Sequence, residues 1–315
     1  MKIQKAGENS IRITLEPLDF SKELLPNPAL SEVKYNSPGI NIRLLSGTLK
    51  QKIGNLAIEI YSSPLKIVVK DKKNELVQEI IFRNDGKLSF KTGNAPVLGM
   101  GEGGPKPVPG EDWRSSKIQF DRRGRYDSMQ PRWQADAYGS RNPVPLLIGT
   151  EGWAIVMIAP WVEVDMTVKE EGLFIPRLPA EKDTIPQNEK NQGLNKGKGL
   201  PPANQFVPGF YDLFVFDAHE PLKLMEDISI ITGKAVMPPR WALGYMQSHR
   251  TLENEQQMIG IVDTFRAKKI PVDAVVYLGT GFTPRGWNKT QPSFEFNPEV
   301  FQRNPKEFLS DMHNR

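Results

Sequence analysis

The chain has 315 residues, and its 41 lysines and arginines against 37 aspartates and glutamates give a net charge of +4, with no basic block or interleaved aromatic stripe of the kind that grips nucleic acid. It contains no cysteine, which excludes disulfides and thiolate metal sites. No run approaches the roughly 18 apolar residues of a membrane span, and the N-terminus MKIQKAGENSIRITLEP lacks an apolar signal core, so the protein is either cytoplasmic or, with a signal removed, periplasmic or secreted.

Ile11, Ile13 and Leu15 alternate with polar residues, as one half-buried strand requires. The pattern returns at Leu56 to Tyr61, Leu65 to Val69 and Val77 to Phe82. Asn84, Asp85 and Gly86 then offer the positive-φ positions of a tight hairpin before Leu88 and Phe90. Further strand-like runs are Trp153 to Ile158, Val162 to Val168 and Tyr211 to Phe216. Many short strands with almost no helical periodicity before residue 220 predict an antiparallel β-sandwich over residues 1–219.

Two stretches interrupt it. Gly99 to Asp112 contains a literal G-x-G-x-x-G at Gly99, Gly101 and Gly104. A dinucleotide fingerprint needs those glycines to open a helix, which Pro105, Pro107 and Pro109 forbid, so the stretch reads as a surface loop. Asp183 to Asn204, rich in Asn, Gln, Lys, Gly and Pro, reads as an excursion on the rim. Between them, Trp113 to Tyr138 sets Trp113, Tyr126, Asp127, Trp133, Asp136 and Tyr138 among arginines. Aromatics and carboxylates in a loop suit either sugar recognition or the anchoring of the loop to the sandwich.

From Pro221 a helix is expected, with proline in its first turn, Gly233 at its end and Leu224, Ile228 and Ile231 on one face. It forms a connection over residues 220–236. Residues 237–315 read as a strand from Trp241 to Met246, a helix and a second strand from Val272 to Leu278. Met258, Ile261, Val262 and Phe265 share one face of that helix. Asn254 with Gln257 three residues on marks its start, and Pro271 lies beyond its end. Strand, helix and strand make a βα unit feeding a parallel sheet. Phe294, Phe296 and Phe301 further on are expected to be packing anchors.

The phrases PPRWALGYMQS, VDTFRAKKIPVDAV, FNPEVF and NPKEFLSDMH, in this order, resemble the opening of the catalytic barrel of glycoside hydrolase family 31. The preceding EPLKLMEDISIITGKAVMPP resembles that family's lead-in. The resemblance implies an all-β, galactose-mutarotase-like sandwich followed by the beginning of a (β/α)8 TIM barrel. Residues 237–315 would supply its first two βα units, since a whole barrel takes about 250 residues. The implied protein is the N-terminal part of a retaining α-glycosidase that hydrolyses terminal α-linked sugars from oligosaccharides or glycoconjugates. Its partners would be a carbohydrate substrate and the rest of the catalytic barrel. The nucleophile and acid, a carboxylate pair about 5 Å apart, are expected beyond residue 315, so no catalytic residue is assigned in this chain.

Barrel chemistry sits at the C-terminal ends of the strands. Gln247, His249 and Arg250, after the first strand, are therefore mouth candidates. At the second strand end the family usually carries an aspartate that accepts from glucose hydroxyls, and here the matching position is Thr280. Asp127, ahead of the Tyr138-Gly139 pair, matches the aspartate with which a family sandwich loop reaches the substrate, with Asp136 second. Trp287 serves either as part of a sugar platform or in packing. The substrate-binding set is thus Asp127, Thr280, Trp287 and Arg250. His219, His249 and His313 lie at no paired metal spacing, so neither metal nor other cofactor is expected. The alternative is a non-catalytic carbohydrate-binding or interaction sandwich with a vestigial barrel segment.

Overall fold

The computed structural model describes residues 1–21, 27, 29–32, 35, 38–102, 118–119, 142–158, 162–176, 207–249, 252–277 and 296–315. They form two compact units, Met1–Lys234 and Ala235–Arg315.

The first unit holds two antiparallel sheets. In one, the spatial order is β3 (Ile40–Asn41), β1 (Lys2–Lys5), β2 (Ser10–Leu15), β15 (Tyr211–Asp217), β12 (Trp153–Met157), β11 (Asn142–Gly149) and β9 (Val97–Glu102). In the other it is β10 (Ile118–Gln119), β13 (Val162–Asp165), β14 (Glu170–Pro176), β8 (Leu88–Gly93), β7 (Leu76–Phe82), β6 (Leu65–Lys70), β5 (Leu56–Ser62) and β4 (Thr48–Ile53). The period-2 patterns decide which side chains meet. Leu56, Ile58 and Ile60 of β5 are buried, while Glu59 and Tyr61 point the other way. One core joins Ile3, Ile11, Ile13 and Leu213 of the first sheet to Ile58, Ile67, Ile80 and Leu88 of the second. Phe90 stacks on Phe174 at 4.7 Å and meets Trp153 edge-on at 5.8 Å, so aromatic contacts tie the sheets together.

The Asn84-Asp85-Gly86 turn forms as expected. Gly86 alone of the three takes a positive φ, 76°, and Arg83 and Lys87 close the loop through Arg83 N–H to Lys87 O at 2.8 Å. At Gly99 the outcome differs from the surface loop read in the sequence. Gly99 and Gly101 belong to β9, which pairs with β11 across an irregularity between Pro143 and Leu147. A side chain at Gly99 would lie 2.3 Å from the Leu146 carbonyl oxygen, so the glycine admits a close backbone approach.

The first sheet is covered on both faces. Every residue of β15 from Tyr211 to Phe216 is buried. Tyr211, Leu213 and Val215 face the sandwich core. Phe214 and Phe216, with Ala154, face α1 (Pro221–Thr232), which lays Leu224 and Ile231 upon them. Gly233 terminates α1 at φ 82°. Asp227, buried on the same face of α1, accepts from Asn9 N–H at 3.0 Å. Only a glycine fits at position 7 beneath it, because a Cβ there would fall 2.4 Å from the Asp227 carboxylate.

The second unit contains β16 (Met246–His249), α2 (Glu255–Ala267), β17 (Ala274–Tyr277) and α3 (Pro305–Asn314). β16 and β17 run side by side in the same direction, from Met246 opposite Ala274 to His249 opposite Tyr277. The first strand begins later than the sequence suggests. Arg240–Leu243 form a 3-10 turn closed by Ala242 N–H to Pro239 O at 2.9 Å, leaving Trp241 and Leu243 exposed. A short apolar run such as RWALGYM does not by itself distinguish a strand from a turn. The start of α2 is as read: Asn254 Oδ1 accepts from Gln257 N–H at 2.9 Å and Gln257 Oε1 accepts from Glu253 N–H at 2.8 Å, a reciprocal cap. Met258 and Val262 are buried. Phe296 and Phe301 pack as expected, both in edge-on contact with Phe308 of α3, while Phe294 lies outside the described residues.

Candidate functional site

A parallel pair bridged by a helix brings two strand ends together, and the open end is the C-terminal one. Here that end is defined by His249 opposite Tyr277. Arg250 is the next residue along the chain from β16, and Thr280 lies three residues past β17. Arg250, Thr280 and Trp287 all lie outside the described residues, as do Asp127 and Asp136 of the sandwich loop.

Of the mouth candidates, Gln247 is turned toward the helix layer. It lines a recess with Gln257, Gly260, Ile261, Thr264 and Phe265 of α2, and its side chain accepts from Tyr245 Oη at 2.6 Å and donates to Ser248 O at 3.0 Å. It is therefore a packing residue of the βα unit. Period-2 alternation placed it opposite in facing to Met246 and Ser248, a consequence that sequence position alone left unread.

A cavity of about 450 Å³ lies at the other end of the unit, lined by Trp241, Val272, Asp273 and Ala274 before and at the start of β17 and by Met258, Val262, Phe308 and Met312 of the helices. It is a gap in the helix layer at the N-terminal end of the strands, where barrel enzymes carry no chemistry. Two acidic residues there have structural roles. Asp273 precedes β17, and its carboxylate packs where a side chain at Gly244 would otherwise stand. Asp263, on α2, pairs with Arg315. Arg303 connects the ends of this unit, donating to the buried Glu255 at 2.8 Å and to Asp311 at 3.0 Å. Asp311 and Glu255 hold the Arg303 guanidinium above its ordinary value, the Asp311 hydrogen bond being the larger cause.

In the sandwich, Asp212 receives both Nε and Nη2 of Arg12, at 2.9 and 2.5 Å, and Thr14 Oγ1 donates to the same carboxylate at 3.3 Å. The guanidinium lies 5.1 Å from the Tyr35 ring and 5.5 Å from that of Phe214. The hydrogen bond to Asp212 raises the Arg12 pKa against the opposing effect of burial. These groups are paired and structural. Among the described residues one set of metal-capable side chains from separate segments converges, Asp71, Asp217 and His219, a set that no local sequence spacing reveals because Asp71 is far away in the chain.

Comparison with known proteins bears on the second unit most directly. Residues 235–315 match the family model described as glycosyl hydrolases family 31 TIM-barrel domain. An alpha-glucosidase 2 of Bacillus thermoamyloliquefaciens is 43% identical over 70 residues, 22% of this chain and 9% of that protein. An alpha-xylosidase of Saccharolobus solfataricus is 34% identical over 83 residues, 26% of this chain and 11% of that protein. The fold of 99% of the chain superposes on a family 31 dextranase of Flavobacterium johnsoniae with a TM-score of 0.66 at 18% identity, and the chain spans 34% of that structure's length.

Proposed function

The chain belongs to glycosyl hydrolase family 31, and from that membership we propose that it is the N-terminal part of a retaining α-glycosidase that hydrolyses terminal α-linked sugars from oligosaccharides or glycoconjugates. The observation that carries the reading is the parallel β16–β17 pair bridged by α2, which lies within the residues that match the family barrel. A two-stranded parallel piece orients its strand ends toward one mouth, and the segments after both strands then contribute to it. In this reading Arg250, Thr280 and Trp287 line the subsite for the terminal sugar, and Asp127 reaches it from the sandwich as an acceptor for sugar hydroxyls. The nucleophile and the acid come from the remaining barrel, about 5 Å apart across the scissile bond.

Thr280 stands where relatives are expected to carry a carboxylate. A neutral hydroxyl accepts more weakly than a charged acceptor by about 1–3 kcal/mol. The proposal therefore favours a sugar other than glucose in that subsite, such as one with altered stereochemistry at C4. The test is kinetic. The protein carrying a whole barrel is expected to release p-nitrophenol from an α-glycoside, with Asp127→Ala lowering kcat/KM by about tenfold or more while leaving thermal unfolding unchanged. Absence of release across a panel of α-glycosides overturns the enzyme reading. Unaltered kinetics in Asp127→Ala removes that residue from the site.

A further inference from the structure

Two turns meet at one corner of the sandwich. Asp71 opens the β6–β7 turn, Asp217 ends β15, and His219 sits just before α1. One donor atom of each lies within 4.8 Å of the others. His219 Nδ1 is 2.7 Å from Asp217 Oδ1, which also accepts from the His219 backbone N–H at 3.1 Å. The imidazole is seated rather than free: it lies across Gly152, where a Cβ would fall 2.3 Å from the ring. That glycine adopts φ 100°, in the region side chains avoid.

Asp71 is 6% exposed. Its Oδ1 closes its own turn by accepting from Lys73 N–H at 2.9 Å and Glu75 N–H at 2.8 Å. Its other oxygen, Oδ2, has no hydrogen-bond or ion-pair partner among the described residues. Nor does any lysine or arginine among them form an ion pair with Asp71 or Asp217. The nearby Lys223 is engaged at 2.8 Å with Glu220. Two close carboxylates, one of them on a largely buried residue, lie beside the imidazole, and Lys223, held by Glu220, reaches Asp217 only through its field. Burying a carboxylate without a counter-charge is costly, and a dication placed among the three groups would cancel both negative charges.

We propose that Asp71, Asp217 and His219 bind a divalent transition-metal cation of the zinc class. The imidazole nitrogen selects such an ion over magnesium or calcium, which prefer all-oxygen sets. Zinc holds nitrogen and oxygen ligands at about 2.0–2.2 Å, so its ligands stand roughly 3–3.5 Å apart. His219 Nδ1 and Asp217 Oδ1, at 2.7 Å, stand slightly closer than that and would part a little around the ion, while Asp71 draws in by about an ångström. Solvent supplies the fourth position at the exposed side of His219. Two segments distant in sequence, the β6–β7 turn and the connection from β15 to α1, would thereby be cross-linked, which makes the ion a structural brace.

The test uses the 315-residue chain stripped with EDTA. Titration calorimetry with Zn2+ is expected to show one site, thermal unfolding to shift upward on adding Zn2+, and Co2+ to give the visible bands of a low-coordinate imidazole–carboxylate site. His219→Ala and Asp217→Asn, each checked as folded by circular dichroism, are expected to bind about tenfold more weakly or worse and to lose the thermal shift. His249→Ala is expected to behave as the unaltered chain. The proposal is overturned if the unaltered chain shows neither heat nor shift. It is equally overturned if His219→Ala and Asp217→Asn bind Zn2+ as the unaltered chain does.

Discussion

At the scale of single residues, charged groups are placed by pairing and burial, and their pH behaviour follows. Tyr61 Oη donates to Glu59 at 2.6 Å, and Lys70 and Lys50 lie at 3.1 and 3.2 Å. These bonds, the one from Tyr61 first, pull the Glu59 carboxyl down from its ordinary 4.5 to about 2. A carboxyl depressed on folding contributes stability above its unfolded pKa that is lost as the pH falls through the folded one. Stability measured by urea unfolding is therefore expected to decline between about pH 4.5 and 2, and more shallowly in Glu59→Gln; equal slopes would refute the assignment. Asp227 has the opposite sign, since burial raises its pKa against the opposing effect of hydrogen bonding, and its contribution is present below the ordinary 3.8 and lost as the pH rises above it. Asp212→Ala strands the Arg12 cation between two rings, and a loss of about 3 kcal/mol is expected in chemical denaturation, with Arg12→Met plus Asp212→Leu costing less than Asp212→Ala alone. If the double variant proves the less stable, the pair is not compensating as described. None of these pairings was legible in the sequence, because Arg12 and Asp212, like Gly7 and Asp227, are brought together only when β2 meets β15 and α1 folds across the sheet.

At the scale of elements, strands whose two faces differ declare themselves and edge strands do not. β5, β6 and β7 alternate and were read within a residue or two. β4, with the sequence TLKQKI, and β3, β9 and β10 lie at sheet edges among the described residues, where one side has no partner among them and polar residues are tolerated, so their patterns are weak. β11 carries two prolines, which obscure a strand in any propensity reading. The continuous burial of β15 has a separate cause, the helix lying on its second face. That arrangement makes α1 an integral layer of the sandwich as well as a connection. Leu224→Ala and Ile231→Ala, at 4% and 0% exposure, are each expected to cost about 2–4 kcal/mol in thermal or urea unfolding. Leu222→Ala, on the exposed side at 82%, should change stability by no more than about 0.5 kcal/mol. Equal costs for Leu222 and Leu224 would contradict the packing of α1.

At the scale of the whole molecule, the two-part plan was legible because it rests on periodicity: period 2 before residue 220, and strand–helix–strand after it. The residues proposed for sugar binding could be named only as loop positions, most of them following strand ends, since what a loop side chain touches is decided by segments distant in sequence. The two units differ in how completely they cover their own apolar surface. The sandwich encloses an extensive core between its sheets and caps one of them with α1. The unit of residues 235–315 has a two-stranded sheet with both outer edges unpaired among the described residues, and it exposes Val236 at 91%, Met237 at 83%, Leu243 at 72% and Tyr245 at 50%. A two-stranded parallel piece buries too little to offset the entropy of ordering it. Residues 1–234 produced alone are therefore expected to show a cooperative thermal transition and slow amide exchange in β2, β12 and β15, while residues 235–315 alone are expected to exchange β16 and β17 amides within minutes. A cooperative transition with protected β16 amides in the shorter piece would mean that the local cluster of Met258, Phe301 and Phe308 suffices to hold the βα unit, and that the barrel start is a self-standing module.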